Sequence, residues 1–123
     1  MSKQKLFDEA LTHIRKQGCQ SEINGVCQYD DGNGHSCAFA PAIKVKITPK
    51  INSKTASYFY DLKDDIHEYL HGWAINAGKQ LAIEIQSCHD SFDEDNSAGQ
   101  FLPYFEAEMM KVAERHDLIY EPV

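Results

Sequence analysis

The sequence predicts an α+β fold: one helix, then a small antiparallel sheet of two to three strands, then two to three helices. Three observations predict it. Residues 3–17 carry a helical apolar stripe, residues 25–43 read as a hairpin and its continuation, and almost everything after Thr48 has helical spacing. A length of 123 residues suits one domain, 1–123, large enough to bury a core without staples.

Residues 3–17 place Leu6, Phe7, Ala10, Leu11 and Ile14 at helical spacing. Ser2 is the candidate N-cap. Gly18 suits the position just past the helix, and Arg15 and Lys16 in the last turn suit its dipole. A connection over 19–24 leads to the hairpin at 25–40. Its arms are Val26-Cys27-Gln28-Tyr29 and Ser36-Cys37-Ala38-Phe39, and its turn is Asp30-Asp31-Gly32-Asn33-Gly34, rich in the residues that accept positive φ. Centring the turn on Gly32 sets Cys27 opposite Cys37 on one face, a cross-strand packing pair.

Residues 42–48 alternate Ile43, Val45 and Ile47 with Lys44, Lys46 and Thr48, which predicts a half-buried edge strand guarded by its lysines. Residues 49–55 read as a loop. Residues 56–73 read as a helix, with Ser57 as candidate cap and Phe59, Leu62, Ile66, Tyr69, Leu70 and Trp73 on one face. Gly72 weakens or ends it. A helix over 74–88 follows, burying Ile75, Leu81, Ala82, Ile85 and Cys88, with Gly78 unfavourable in its first turn. Residues 90–100 form an acidic loop. The last helix, 101–117, has Pro103 near its start and Phe105, Met109, Val112 and Ala113 on its core face. Leu118, Ile119 and Tyr120 pack a short tail.

The formal net charge is −7, which argues against direct nucleic-acid binding and allows a basic partner. The N-terminus lacks the apolar stretch of a signal peptide, and no apolar run approaches the ~20 residues of a membrane span. A cytoplasmic setting is expected, with the four cysteines, Cys19, Cys27, Cys37 and Cys88, reduced. They contain no C-x-x-C knuckle, so buried thiols are expected rather than a zinc site. Cys88, His89 and Asp90 are adjacent, diverge by roughly 100° per step on a helix, and are not expected to form a triad among themselves. His89-Asp90 instead reads as a cap and packing element at a helix end.

His67-Glu68-Tyr69-Leu70-His71 spells H-E-x-x-H. On one helix it would put two imidazoles one turn apart, ready for zinc, with Glu68 as general base. The metzincin extension is missing, because positions 74 and 77 are both alanine, and no spacing compels Glu84, His89 or Asp90 to be the third ligand. No metal, cofactor or catalytic residue is assigned; the motif reads as the polar flank of an amphipathic helix.

The series Phe7, His13-Ile14-Arg15-Lys16-Gln17-Gly18, Ser21, Gly25-Val26-Cys27-Gln28-Tyr29, Asp31-Gly32, Cys37-Ala38 and Ile43 resembles a family of small uncharacterised proteins of bacteriophages and prophages. Leu81, Ile85-Gln86, His89-Asp90, Ala113 and Leu118 extend the resemblance. Where that family's pattern has arginine and glycine, this chain has Asp30 and Ala40, and its turn is longer before Cys37. Specificity is therefore expected at the turn residues Asp30, Asp31, Asn33 and His35. The resemblance implies a non-enzymatic accessory protein that binds and inhibits a component of the host cell, in the host cytoplasm. A nucleic-acid-binding defence protein would present a basic surface. The acidic runs Asp61, Asp64, Asp65, Glu68 and Asp90, Asp93, Glu94, Asp95 would occupy it. A second reading is a homo-oligomeric sponge for a nucleotide signal, with Lys111 and Arg115 holding phosphates and Tyr29, Phe39 or Trp73 stacking bases. A zinc hydrolase using His67 and His71 is the third.

Overall fold

The computed structural model describes residues 2–18, 22–23, 26–27, 36–47, 49–52, 54–92 and 100–122. These are overwhelmingly helical, which overturns the α+β expectation. Helix α1, Ser2–Gln17, opens the chain. It buries Leu6, Phe7, Ala10, Leu11 and Ile14, the five residues of the stripe. Ser2 is its first residue rather than its cap. Gly18, at φ +78°, closes it by returning its amide to the Ile14 carbonyl at 2.7 Å.

The sheet among the described residues amounts to two strands, β1, Glu22–Ile23, against β2, Val26–Cys27. The register sets Cys27 opposite Glu22, not Cys37. The first arm of the expected hairpin is thus paired backwards along the chain, across Asn24-Gly25, a dipeptide with strong preference for two-residue hairpins. The expected turn, 30–34, lies outside the described residues. The expected second arm is not a strand. Cys37 begins a series of tight turns instead: Ala40 N–H donates to Cys37 O at 3.1 Å, Ala42 to Phe39 O and Ile43 to Ala40 O at 3.0 Å. These lead through a 3₁₀ turn, Ala40–Ala42, with Pro41 at its centre. This winding buries Cys37, Ala38, Phe39, Ala42 and Ile43 together.

The lysine-flanked run after it keeps its predicted alternation without becoming a strand. Ile43 is buried, Val45 and Ile47 half-buried, Lys44 and Lys46 exposed. Among its described residues only Ile43 pairs, in an antiparallel bridge to Leu70 flanked by Lys44 N–H to Tyr69 O at 2.8 Å and His71 N–H to Ala42 O at 2.9 Å. A longer ladder needs an extended neighbour. Here the neighbour is helical until Tyr69.

Helix α2, Pro49–Asn52, stands where a loop is expected. The expected helix over 56–73 is broken into α3, Ala56–Tyr60, a 3₁₀ turn Lys63–Asp65, and α4, Ile66–Tyr69. Lys63 takes φ +57°, and Leu70 is extended. The breaks let Phe59, Ile66 and Leu70 all reach the core. Gly72 starts α5, Gly72–Ala77, and Gly78 at φ +96° separates it from α6, Lys79–Asp90. Helix α6 buries the expected Leu81, Ala82, Ile85 and Cys88, and His89 as well. Helix α7, Phe101–His116, buries Phe101, Phe105, Met109, Val112 and Ala113. Asp117 takes the left-handed conformation, and the Leu118 amide returns to Ala113 O at 2.9 Å, a Schellman ending.

Helix α1 is the hub. It packs on α5, α6, α7 and the Ala40–Ala42 turn, while α6 packs on α7 and α3. Among the described residues the core holds two aromatic groups. Phe39 lies 6.2 Å from Phe59 and 6.1 Å from Tyr60, and Phe59 lies 6.0 Å from Tyr69. Phe101 lies 5.3 Å from Phe92 and 5.8 Å from Phe105. Among the described residues no helix is long and apolar enough to cross a membrane.

Candidate functional surfaces and buried polar groups

The acidic run of 61–68 lies on the broken segment between α3 and α4. Its apolar members Ile66 and Leu70 point inward, which turns Asp61, Asp64, Asp65 and Glu68 to solvent. Asp61 accepts from Lys79 Nζ at 2.7 Å in an exposed pair. Among the described residues no cation is paired with Asp64, Asp65 or Glu68. Of the second acidic run, Asp90 is in view. Asp93, Glu94 and Asp95 lie outside the described residues, as do the turn residues Asp30, Asp31, Asn33 and His35 and the base-stacking candidate Tyr29.

The H-E-x-x-H residues do not share a helix. His67 is exposed on α4, which ends at Tyr69. His71 follows the extended Leu70, sits at the N-cap of α5, and stacks on Trp73 with centroids 5.3 Å apart and planes at 8°. The one-turn spacing that a zincin needs is lost at Leu70. Among the described residues no group of three or more His, Cys, Asp or Glu is placed to hold a metal ion.

Lys111 and Arg115 line a groove of about 110 Å³ between α6 and α7, with Glu84, Cys88 and Glu108. Each already holds a carboxylate. Lys111 Nζ donates to Glu108 at 2.8 Å, and Arg115 Nε to Glu84 Oε1 at 2.7 Å. His116 Nε2 donates to the other Glu84 oxygen at 2.7 Å. A phosphate entering here would meet two carboxylates. Burial pushes the Cys88 thiol up to about 12, which keeps it protonated and a poor nucleophile.

His89 is completely buried and lies edge-on to Phe101, 5.6 Å between centroids. Its Nδ1 donates to Asp90 Oδ1 at 2.7 Å, so the two neighbours do meet, contrary to the divergence expected along a helix. Asp90 is the last residue of α6, where its side chain can turn back onto the ring. Cys88 takes no part, since it faces the α6–α7 groove.

His13 and Gln17, one turn apart on α1, hold the backbone of Ser36. The Gln17 amide donates to Ser36 O at 2.9 Å and accepts from Ser36 N–H at 2.7 Å, while His13 Nε2 donates to Ser36 O at 3.2 Å. Burial holds His13 below the usual imidazole range, and nearby His89 adds to the depression against the opposing Ser36 bond. In the motif His13-Ile14-Arg15-Lys16-Gln17-Gly18, therefore, His13 and Gln17 dock the chain that enters the Cys37 turn.

Arg15 has a different task. Its Nε and Nη2 fork onto the two Glu106 oxygens at 2.6 and 2.7 Å, joining α1 to α7. Neither this pair nor Glu84 with Arg115 and His116 is visible in helical spacing, because each spans more than 30 residues of chain. The fork from Arg15 holds Glu106 below the usual carboxylate range. Glu84 is also held below it: burial raises it, but bonds from His116, Arg115 and Gln80 outweigh that. A carboxylate depressed in the folded state stabilises above the ordinary glutamate pKa of about 4.3, and that contribution is lost as pH falls through the folded value. The melting temperature is thus expected to drop between about pH 5 and pH 3. Glu84→Gln and Glu106→Gln should each flatten that drop in thermal melts across the range. An unchanged slope in both variants would contradict the assignment.

Fold and surface together define a small helical protein with an acidic exposed turn. Comparison with known protein families, curated proteins and solved structures finds no match.

Proposed function

We propose that this protein acts by binding, without catalysis of its own: its acidic turn at 61–68 docks on a basic, nucleic-acid-binding surface of a host-cell protein and blocks it. The resemblance to bacteriophage and prophage proteins supplies the setting, in which a defence component is the target. The observation that carries the binding surface is the exposure of Asp64, Asp65 and Glu68, without a paired cation among the described residues, on a segment anchored from below by Ile66 and Leu70. Carboxylates held on a packed turn lose little freedom on docking, and a net charge of −7 steers the encounter with a basic partner.

The test is affinity capture from host extract with the wild-type chain and with the triple variant Asp64→Asn, Asp65→Asn, Glu68→Gln. All three positions are exposed, so the variant should fold normally. The expected result is a captured basic protein whose retention falls by about tenfold in the variant and with added salt. Equal retention of every captured protein by both forms, or no captured protein, would refute the proposal.

A further inference from the structure

Beyond α7 the chain reverses at Asp117 and runs back along α1. Among the described residues, no residue from Asp117 to Pro122 is buried, and Ile119 is 68% exposed. Leu118 and Tyr120 are half-buried against the core, and after the Leu118 amide the hydrogen bonds that hold the segment come from side chains. The Gln4 amide bonds both sides of Ile119, donating to its carbonyl at 2.9 Å and accepting from its N–H at 2.8 Å. Arg15 Nη2 donates to Glu121 O at 2.7 Å. The Tyr120 hydroxyl donates to Glu106 Oε1 at 2.6 Å, with the Arg15 guanidinium 5.6 Å from the Tyr120 ring centre. Between the segment and α1 lies a groove of about 350 Å³, with Asp8, Leu11 and Thr12 on the helix side and Ile119 and Glu121 on the other.

We infer that residues 118–122 form a latch that lifts off α1 as a unit while α1 and α7 stay packed, with the Tyr120–Glu106 hydrogen bond as its bolt. The two helices have their own buried anchors, Leu6, Phe7 and Ile14 on α1 and Phe105, Met109 and Val112 on α7. A segment without a fully buried residue, held on α1 by the exposed Gln4 and Arg15 hydrogen bonds, opens at far lower cost than the core beneath it. Arg15 keeps Glu106 through Nε when Tyr120 leaves, so the α1–α7 joint survives opening. Closed, the latch walls the groove. Open, it removes that wall and uncovers Gln4, Leu11 and Arg15 beside the already exposed Asp8 and Thr12.

Native-state hydrogen exchange on the full chain tests this, read at the Leu118 and Ile119 amides and at interior amides of α1 and α7. The expected result is that 118 and 119 exchange by a local opening while the helix amides stay protected. Tyr120→Phe should then speed exchange at 118 and 119 by about tenfold and leave both helices unchanged. Gln4→Ala, which removes the other clasp, should do the same. Exchange of 118 and 119 in step with the helices, acceleration of all sites by one factor, or no acceleration in either variant would overturn the latch.

Discussion

Phe59→Ala is expected to lower the unfolding free energy by about 3–5 kcal/mol, the range for emptying a fully buried aromatic site. Phe59 is fully buried and lies within ring contact of Phe39, Tyr58 and Tyr69. Those partners come from the turn series after Cys37, from α3 itself and from the end of α4. None of these elements is long enough to be stable alone, since a short helix gets its stability from packing. Removing the ring should therefore loosen all three at once. Denaturant titration measures the loss, and Phe59→Leu, which keeps most of the volume, should recover more than half of it. A loss under about 1 kcal/mol for the alanine variant would mean that this aromatic group is not a packed core.

Gly78→Ala is expected to cost about 1–3 kcal/mol. The position combines φ +96° with ψ 156°, a backbone region that belongs almost to glycine alone. No neighbour lies within 4 Å of where the new methyl would sit, so the cost is conformational rather than a clash. In an ordinary helix the same substitution would stabilise by about 1 kcal/mol, because alanine favours helix over glycine. The sign of the change in melting temperature thus distinguishes two helices meeting at Gly78 from the single helix that the periodicity of 74–88 predicts. A stabilised variant would favour the single helix.

The helices with whole, regular stripes were the legible part of this protein. In α1 and α7 the apolar positions recur over 16 residues each, long enough that only one face can be buried. The misreadings fall where short apolar runs fit more than one local structure. Cys37–Ile43 contains residues that suit a strand, and it winds because the winding brings Cys37, Ala38, Phe39, Ala42 and Ile43 into one core. The run at 56–73 satisfies helical spacing throughout. It breaks at Lys63, with φ +57°, and at the extended Leu70, and its pieces pack on different neighbours, α3 on α6 and α4 on α5. The same break removes the zinc-binding meaning of His67 and His71, a meaning that depends wholly on their being on one helix.

The acidic surface was legible for a related reason. Charges interleaved with Ile66 and Leu70 must face outward once those two are buried, whatever the exact winding. The polar joints were not. Arg15 with Glu106, Glu84 with His116, and Gln17 with Ser36 depend on which helix passes which, and the sequence carries no local mark of that.

Spacing within one element was enough to read which face of α1 and of α7 is buried and that Asp61, Asp64, Asp65 and Glu68 meet water. That the described residues from Ser36 to Tyr69 wind through turns and short helices rather than extending the sheet depends on how the elements pack. A strand exists only where a second extended segment lies alongside it. Past Ile43 the chain finds a helix there, and among the described residues Leu70 is its one extended partner.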